Sequence, residues 1–495
     1  MQQTAPALKI AFVNPPYLER FSRTQRSPAV TKSGTLYFPM WLAAAAALCA
    51  ESGHEIDLID APASGADIEA VLARLARFAP RLLVVETSTP SIASDLAFCA
   101  RARERLPGTC VALVGTHASA RPQACLCDEP AVDLVVLGEY DLGVRDLAAA
   151  LARGEPVSTV AGLCYRDGDR PRLGVARAVF DDLDRLPPIS PIYRRFLDIR
   201  DYFNPNAIHP MVTISTSRGC PNHCTFCVYP QTITGHRLRR RSAGHVVDEL
   251  EYIRRAFPEA RSVFFEDDTF PADRARCAEI CEEMIRRGFD LPWSANVRVD
   301  VEPETLRLMR RAGCRNLCVG FESGAQALLD RVRKRITLAQ SRAFMREARA
   351  LGLIVHGCFM VGLPGETPET MRRTLELAIE LAPDTAQFYP IMVYPGTAAY
   401  DWYAREGMLV TEDFSRWLTP AGLHNTVVRS AALDAEALVA FCDQARRRFY
   451  LRPRYLWRRL GLVARDREEF RRTWRAGRTF LRHLLRGSDI EAGHG

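Results

Sequence analysis

The chain is constrained most by an alternation of short β-rich runs with helical stretches, which occurs in two series. The first series lies in residues 1–155 and contains five runs rich in Val, Ile and Leu. Its predicted strands are residues 10–13, 56–59, 82–85, 111–114 and 132–137, and its predicted helices include 39–52, 68–78 and 92–105. This pattern predicts an open parallel sheet with helices on both faces. Ligands of such sheets bind beyond the carboxyl ends of the strands.

The second series lies in residues 211–400. Its predicted strands are residues 211–216, 262–266, 293–297, 316–320, 354–360 and 386–391. Its predicted helices are 243–257, 274–287, 303–312, 338–350 and 369–381. Six β–α units are too few for the complete eight-stranded barrel, so the pattern predicts a partial (β/α)6 barrel.

Two further segments complete the predicted organisation. Residues 156–210 contain several prolines and are predicted to be a linker between domains. Within the linker, residues 162–166 are expected to pair with 172–175 as a hairpin. Residues 401–495 are predicted to form a helical C-terminal region.

Composition limits the class of protein. A chain of 495 residues is expected to form two or three domains. Its net charge of +7 is modest and concentrated near the C-terminus, which does not indicate a nucleic-acid partner. The apolar run at 40–50 is far shorter than the roughly 20 residues that span a bilayer. Fifteen cysteines without a secretory signal indicate a reducing cytoplasm.

Three of these cysteines form a compact motif directly after the first strand of the second series. Cys220, Cys224 and Cys227 are four and three positions apart, a spacing that would also place three thiols on one helix face. Gly219 and Pro221 argue against a helix, because glycine frays a helix and proline removes a donor. The motif is therefore predicted to be a loop on which three sulfurs converge.

Thiolates at this density usually hold zinc or an iron–sulfur cluster. A zinc site would need a fourth ligand, for which His223 inside the loop is a candidate, whereas a cubane held by three cysteines leaves one iron open for a reactant. The Cys-x3-Cys-x2-Cys spacing, with Phe226 before the last cysteine, resembles the radical S-adenosylmethionine (SAM) enzymes. The resemblance implies a [4Fe–4S] cluster whose fourth iron binds the amino and carboxylate groups of SAM. One electron from the cluster then cleaves SAM to a 5′-deoxyadenosyl radical.

The ends of the second-series strands carry polar and glycine-rich segments, and the chemistry of barrels gathers there. By resemblance to the family, SAM contacts are expected after strands two to six. In chain order the expected contacts are Asp267, Asp268, Asn296, Arg298, Glu322, Ser323, Gly362, Pro364 and Tyr389. For the acids, an ordinary turn that caps the next helix is the alternative. No catalytic residue is assigned.

The strand ends of the first series are rich in Gly, Ser and Thr, which lets a backbone approach a large polar ligand, although ordinary loops share this composition. No G-x-G-x-x-G follows the first strand, which disfavours a dinucleotide. The segment resembles the flavodoxin- or Rossmann-like cobalamin-binding domain that precedes the barrel in one large class of radical SAM enzymes. The Asp-x-His-x-x-Gly cobalt-ligand motif is absent, and His117 is not assigned as a cobalt ligand. The expected cobalamin contacts are Asn14, Thr87, Ser88, Gly115, Thr116, His117, Gly138 and Glu139.

The other cysteines and the basic C-terminus leave alternatives open. The spacing of four between Cys277 and Cys281, and between Cys314 and Cys318, fits either buried thiols or a second cluster. Cys358 lies within the fifth strand, which would place it near substrate. The basic aromatic run at 446–460 fits a helix packed on the barrel or a helix lying on anionic lipid. Further apolar residues that continue this run are Phe470, Trp474, Phe480, Leu481, Leu484 and Leu485.

The resemblance implies a cobalamin-dependent radical SAM enzyme that acts on an unactivated carbon, with methyl transfer in a secondary-metabolite or lipid pathway as the leading expectation. The alternatives are a cobalamin-dependent cyclase or ring-rearranging enzyme, a tRNA methylthiotransferase with a second cluster on N-terminal cysteines, and a non-enzymatic sensor. The expected partners are a small-molecule or lipid-like substrate and an electron donor such as flavodoxin or ferredoxin. The sequence carries no readable code for the substrate.

Overall fold

A seven-stranded sheet forms the N-terminal region of the computed structural model, which describes residues 6–430, 432–465 and 470. Its strands are β1 (Lys9–Asn14), β2 (Glu55–Asp60), β3 (Leu82–Thr87), β4 (Cys110–Gly115), β5 (Leu134–Val136), β6 (Leu163–Asp167) and β7 (Arg170–Leu173). The strand order is β2-β1-β3-β4-β5-β6-β7, and β1 to β5 are parallel. The predicted open parallel sheet is confirmed.

Helices cover both faces of this sheet because residues alternate along its strands. Ile10 and Phe12 of β1 enter one core, and Ala11 and Val13 enter the other. The helices of the region are α1 (Met40–Glu51), α2 (Ala61–Ser64), α3 (Ile68–Phe78), α4 (Ile92–Arg105), α5 (Thr116–Ala120), α6 (Pro122–Asp128) and α7 (Tyr140–Arg153). α1 and α7 pack on the first face, whose core is continuous with that of the barrel.

The hairpin expected within the linker forms, but it belongs to the sheet. β6 pairs antiparallel with β5, and β7 pairs antiparallel with β6. Leu163 and Cys164 are buried in the cores of opposite faces. The sheet therefore extends past residue 155 to Leu173. The local turn signal predicts the hairpin, whereas its pairing with β5 depends on long-range packing.

The second sheet is the predicted partial barrel. Its strands are β8 (Met211–Ile214), β11 (Ser262–Phe265), β12 (Trp293–Val297), β13 (Cys314–Glu322), β14 (Ile354–Val361) and β15 (Thr385–Pro390), and the short pair β9 (Ser217–Arg218) and β10 (Arg239–Arg240) lies beside it. The six strands are parallel and neighbours in chain order. The (β/α)6 prediction is confirmed, and all six strands begin and end within two residues of the predicted bounds.

Helices cover the outer face of the barrel. These are α10 (Ala243–Ala256), α11 (Arg274–Arg286), α12 (Pro303–Arg311), α13 (Gln326–Arg331), α14 (Leu338–Ala350) and α15 (Pro368–Leu381). α9 (Val228–Thr232) directly follows the cysteine loop, and α8 (Ser190–Phe196) lies in the connection before the barrel. Leu317 and Val319 of β13 are fully buried in the core. Asn316 and Cys318 alternate with them and therefore face the inside of the barrel.

The described part of the C-terminal region is only partly helical: it contains α16 (Ala398–Arg405), α17 (Ala435–Tyr450) and α18 (Pro453–Arg465), whereas residues 406–430 form turns and one short 3-10 helix. α17 covers the open edge at β15, where Arg446 donates to the Phe388 carbonyl at 2.8 Å. None of the helices in the described ranges is long and apolar enough to cross a membrane. The run from Trp474 to Leu485 lies outside the described residues.

Candidate active site

The cysteine loop leaves the carboxyl end of β8 and is held at its base by the β9–β10 ladder. Gly219 has a φ of 86°, and a Cβ at this position would overlap the carbonyl oxygen of Arg237. Only glycine fits this turn without strain. The Cys220 amide then donates to the Gly235 carbonyl at 3.2 Å, and the Cys227 amide donates to the Cys224 carbonyl at 3.3 Å. These hydrogen bonds hold the loop backbone at all three cysteines.

His223 does not supply the fourth ligand that a zinc site at the cysteine loop would need. His223 is exposed, and its ring stacks on His236 with centroids 4.0 Å apart. The His236 ring nitrogen in turn lies 3.2 Å from the Cys220 carbonyl and 3.0 Å from the Asn222 carbonyl. Both rings thus brace the outside of the loop. In the described part of the chain, the thiols of Cys220, Cys224 and Cys227 also lie too far apart to bind one ion together.

The chemistry of the three thiols fits a cluster. Cys220 and Cys224 are buried, and Cys227 is half-buried. Burial, followed by the charge of Asp268, raises the pKa of Cys227 well above its usual value, and the same two causes raise the pKa of Cys220. Thiols in this setting become thiolates when a metal coordinates them. Three thiols on one loop that are too far apart to share a single ion can each bind a separate iron of a cubane.

The three acids of the turn after β11 have different partners. The middle one, Asp267, bonds to the segment that leads into the cysteine loop. Asp267 is almost fully buried, and its carboxylate accepts from the Thr216 amide at 3.0 Å and the Thr216 hydroxyl at 2.8 Å, and also from the Ser217 hydroxyl. These partners directly precede the cysteine loop. Asp267 therefore positions this loop, and its oxygens are engaged.

The two flanking acids meet an arginine from the N-terminal region. Arg26 pairs with Glu266 and lies 3.2 Å from an Asp268 carboxylate oxygen. It also donates to the Asp267 carbonyl at 3.2 Å. Burial raises the pKa of Glu266 to about 6, against the opposing effect of Arg26. The segment before α1 is thus tied across to the mouth of the barrel.

Polar side chains at the carboxyl ends of β12 and β13 meet around the only lysine of the barrel. The Lys334 ammonium lies 2.6 Å from a Glu322 oxygen, and the Arg298 guanidinium donates to the Lys334 carbonyl at 2.6 Å. Lys334 also lies 6.0 Å from the centre of the Phe226 ring in the cysteine loop. Asn296 donates to the Asp267 carbonyl at 3.1 Å. The structure therefore brings Asn296, Arg298 and Glu322 together beside the loop.

The remaining predicted SAM contacts lie after β13, β14 and β15. The Ser323 hydroxyl is buried and accepts from the Ala325 amide at 3.1 Å, so it holds its own turn. Glu366 accepts from the Gly362 amide at 3.1 Å and the Leu363 amide at 3.2 Å, and burial raises its pKa to about 7. The Pro364 carbonyl accepts from Arg331, and Tyr389 lies near Glu322.

The carboxyl edge of the N-terminal sheet is built from side chains that bond one another. Asn14 donates to Asp60 at 2.7 Å and accepts from Arg23 at 2.7 Å. Arg23 also forms a fully buried ion pair with Asp95 at 2.6 Å. The Ser88 amide lies 3.4 Å from the same Asp95. The β1 and β3 ends of this edge therefore form one closed network.

The β3 and β4 ends contain the other expected contacts. The Thr87 hydroxyl donates to the Val114 carbonyl at 2.8 Å, and Gly115 (φ 105°) packs so close that a Cβ would overlap the Thr87 carbonyl. Thr116 is buried at the start of α5. The His117 ring lies 3.1 Å from the Thr89 hydroxyl and contacts Phe414, and burial lowers its pKa to about 3.

Two of the expected contacts lie at the junction between the regions. The Gly138 amide donates to the Ser119 hydroxyl at 3.0 Å. Glu139 pairs with Arg239, and with Arg218 at 3.4 Å. Arg218 also lies 2.6 Å from the fully buried Asp141. Since Arg218 is two residues before Cys220, this junction fixes the cysteine loop against the N-terminal sheet.

The N-terminal cysteines do not converge. Cys49 is buried in the core on one face of the sheet, and Cys99 and Cys125 are buried in the core on the other. Cys127 is exposed on α6. Cys110 packs, partly buried, against the core that contains Cys49, so the described cysteines of this region do not bring three thiols to one point for the second cluster of the methylthiotransferase alternative. Cys277, Cys281 and Cys314 are fully buried in the barrel core, as expected for packing thiols.

Comparisons with known proteins agree with both halves of this arrangement. Residues 214–378 match the radical SAM superfamily, and residues 26–148 match the B12 binding domain. An uncharacterized methyltransferase of Pyrococcus horikoshii is 27% identical over 450 residues, which cover 91% of this chain and 94% of that protein. The anaerobic magnesium-protoporphyrin IX monomethyl ester cyclase of Cereibacter sphaeroides is 27% identical over 475 residues, which cover 92% of this chain and 73% of that one.

A solved structure has the same fold. The radical SAM methyltransferase TsrM from Kitasatospora setae, with cobalamin and a [4Fe–4S] cluster bound, superposes with a TM-score of 0.70 at 18% identity, covering 89% of this chain and 91% of that one. The chain therefore belongs to the radical SAM enzymes that carry a cobalamin-binding domain. Its cofactors are those of the family: a [4Fe–4S] cluster, SAM and cobalamin.

Proposed function

We propose that the protein is a cobalamin-dependent radical SAM methyltransferase that adds a methyl group to an unactivated carbon of a small molecule. One observation carries the proposal. α9 follows Cys227 directly and contacts α5, which begins at the carboxyl end of β4. The edge of the sheet that matches a B12-binding domain thus lies against the cysteine loop. A cluster held by the cysteine loop and a cobalamin held at this edge would therefore be adjacent.

When bound, the cluster and SAM supply a 5′-deoxyadenosyl radical, and methylcobalamin supplies the methyl group. The residues of the chain would bind and orient these cofactors and the substrate, and would exclude water from them. Cys220, Cys224 and Cys227 would hold the cluster. Asp267 and Ser323 position loops, because their oxygens are engaged within the protein.

The proposed SAM contacts are the polar groups that surround the cysteine loop. Glu322 and Glu266 each keep one buried carboxylate oxygen that has no partner among the described residues. A buried acceptor without a partner is costly, and an ammonium group of SAM would satisfy it. The remaining proposed contacts with SAM are Asp268, Asn296, Arg298, Gly362, Pro364 and Tyr389.

The carboxyl edge of the N-terminal sheet suits cobalamin because it offers a surface of backbone and small side chains. Its side chains bond one another, and its glycines at 115 and 138 have φ of 105° and 65°. Such a surface offers backbone and small side chains to a large ligand that brings its own metal. The neutral His117 is engaged by Thr89 and Phe414, so we propose that cobalt receives no imidazole from this residue.

A second candidate is oxidative cyclisation, which the similarity to the cyclase over 92% of this chain favours. Products separate the two candidates. The protein is reconstituted anaerobically with iron, sulfide and cobalamin, reduced and incubated with SAM. Methyl transfer predicts S-adenosylhomocysteine together with 5′-deoxyadenosine. 5′-Deoxyadenosine without S-adenosylhomocysteine, when cobalamin is bound, contradicts the methyltransferase and supports the cyclase.

Partners follow from the chemistry and from the C-terminal helix. We propose an external one-electron donor such as flavodoxin or ferredoxin, in a reducing cytoplasm.

On α18, Tyr455 donates to the Asp384 carbonyl at 3.0 Å, while Trp457 and Leu460 are 76% and 60% exposed. A basic helix with an exposed aromatic face suits anionic lipid. Binding to anionic vesicles that is unchanged in Trp457→Glu/Leu460→Glu would exclude this contact.

A further inference from the structure

A second group of ligating side chains lies inside the barrel, apart from the cysteine loop. Cys318 is on β13, and His356 and Cys358 are on β14, where Cys318 is the register partner of His356. The two sulfurs are 4.0 Å apart, and one ligand atom from each of the three residues lies within 4.8 Å of the others. Among the described His, Cys, Asp and Glu residues, this is the one group of three that meets this distance.

The position of these side chains differs from that of the packing thiols. Cys277 and Cys314 are fully buried near each other on the helix side of the sheet, because a bulge directly after Cys314 interrupts the alternation of β13. Cys318, His356 and Cys358 are each half-buried and alternate with core residues along their strands. They therefore line the barrel interior, where a reactant would be exposed to them.

Two neighbouring groups point to a ligand here. The His356 Nδ1 atom lies 2.8 Å from the Thr385 hydroxyl of β15, a contact that fixes the ring orientation in the way common for metal-binding histidines. Asn316 is two residues before Cys318 on the same face of β13, and it is fully buried. Neither its amide nitrogen nor its amide oxygen has a partner in the described part of the chain. A buried amide without partners is expensive unless something polar enters the space.

We propose that Cys318, His356 and Cys358 bind one divalent zinc-type cation inside the barrel, with a fourth position open to the lumen. Two thiolates and one imidazole are ligands that zinc prefers, and three protein ligands with one open position are typical of reactive rather than structural zinc sites. On binding, each thiol gives a proton to solvent and forms one sulfur–metal bond, with no change in oxidation state.

The open position gives the site a role in the proposed function. A substrate oxygen, nitrogen or thiol bound to the cation would hold a carbon in the lumen beside the cysteine loop, and Asn316 would contact the same ligand. This role rests on the proposed methyl transfer, whereas metal binding does not. The two can therefore fail separately.

Cobalt titration tests the site directly. The full chain carrying Cys220→Ala/Cys224→Ala/Cys227→Ala lacks the cluster ligands and is titrated with Co²⁺ under argon. We expect one equivalent to give the visible bands of tetrahedral cobalt and a thiolate charge-transfer band. Adding Cys358→Ser abolishes both bands, and adding Thr385→Val weakens affinity about tenfold. Adding Cys314→Ala, the matched control on the same strand, changes neither.

A second measurement uses the cluster-loaded protein, in case the triple variant does not fold. Zinc and iron per chain are counted in the reconstituted wild type and in Cys358→Ser. We expect the variant to lose one zinc and to keep about four irons. Equal zinc in the two proteins, or cobalt bands that persist in Cys358→Ser, overturns the site. Loss of zinc with unchanged S-adenosylhomocysteine formation keeps the site and rejects its role in methyl transfer.

Discussion

The carboxyl edges of the two sheets are organised in opposite ways. At the N-terminal edge, side chains satisfy one another, as in the Arg23–Asp95 pair, which is buried to the last atom. At the barrel edge, Glu266 and Glu322 each keep a buried carboxylate oxygen that finds no partner within the described ranges. The buried polar groups of the N-terminal edge have partners within the protein, whereas those of the barrel edge need a ligand to complete their hydrogen bonds. A large ligand that carries its own metal suits the first edge, and a small zwitterion suits the second.

The largest effect should come from the barrel edge. Cys227→Ala removes one of three cluster ligands, so we expect loss of the cluster's visible absorption and of SAM cleavage, measured as 5′-deoxyadenosine. Cys127→Ser, on the exposed face of α6, is the matched control and should leave both unchanged. SAM cleavage that survives in Cys227→Ala would contradict the assignment of the loop.

Breaking the junction between the edges should cost stability next. Arg218→Met leaves Asp141 buried and unpaired, and we expect it to lower the free energy of unfolding by about 3–5 kcal/mol in urea denaturation. Arg218→Met/Asp141→Asn should recover part of this loss because the buried charge is gone. A single variant as stable as the double one would show that the pair does not hold the edges together.

Two buried glutamates, one in each region, allow a pH test. Burial raises the pKa of Glu366 in the barrel and of Glu86 in the N-terminal sheet from 4.5 to about 7. The folded state therefore holds these protons more tightly, and the stability they contribute is full below pH 4.5 and lost as pH rises to about 7. Each shift corresponds to about 3 kcal/mol at most.

Substitution by glutamine mimics the protonated acid. Glu366→Gln and Glu86→Gln should each raise the melting temperature relative to wild type at pH 8 and leave it unchanged near pH 4.5. Only Glu366 accepts from the loop at Gly362, so only its variant should alter the Kd for SAM. A change in SAM affinity in Glu86→Gln would remove the distinction between the edges.

The smallest effect is expected at His117. Its ring is neutral over the whole working range, since burial lowers its pKa to about 3, and Thr89 and Phe414 engage it. His117→Gln should change cobalamin affinity less than about twofold, and the EPR spectrum of bound cob(II)alamin should show no splitting from a histidine nitrogen. Such a splitting in the wild type would mean that this edge rearranges to bind its ligand.

Local sequence determined much of this architecture. The periodicity of apolar residues predicted every parallel strand of both sheets, and Gly219 with Pro221 correctly indicated a loop. The division of labour among neighbouring acids was not readable, because it depends on distant partners. Asp267 is engaged by Thr216, 51 residues earlier, and Glu266 by Arg26, 240 residues earlier.

Three residues that hold the candidate site together were missed, two of them for the same reason. Glu366 and Arg218 are ordinary charged residues until the fold brings their partners to them. Lys334 did carry a signal, since it is one of three lysines in a chain whose other basic residues are arginines. The group formed by Cys318 and Cys358 also requires the register of β13 and β14, which the sequence alone does not give.

The contact of Arg26 with Glu266 and Asp268 has a mechanical consequence. Separating the N-terminal sheet from the barrel would remove Arg26 from Glu266 and Asp268. The two carboxylates would then lie unpaired at the rim of the barrel, in surroundings that solvate charge poorly. The contact of Arg26 with these two acids therefore opposes separation of the proposed cluster site from the proposed cobalamin site. We accordingly expect the substrate to reach both cofactors without the two sheets moving apart.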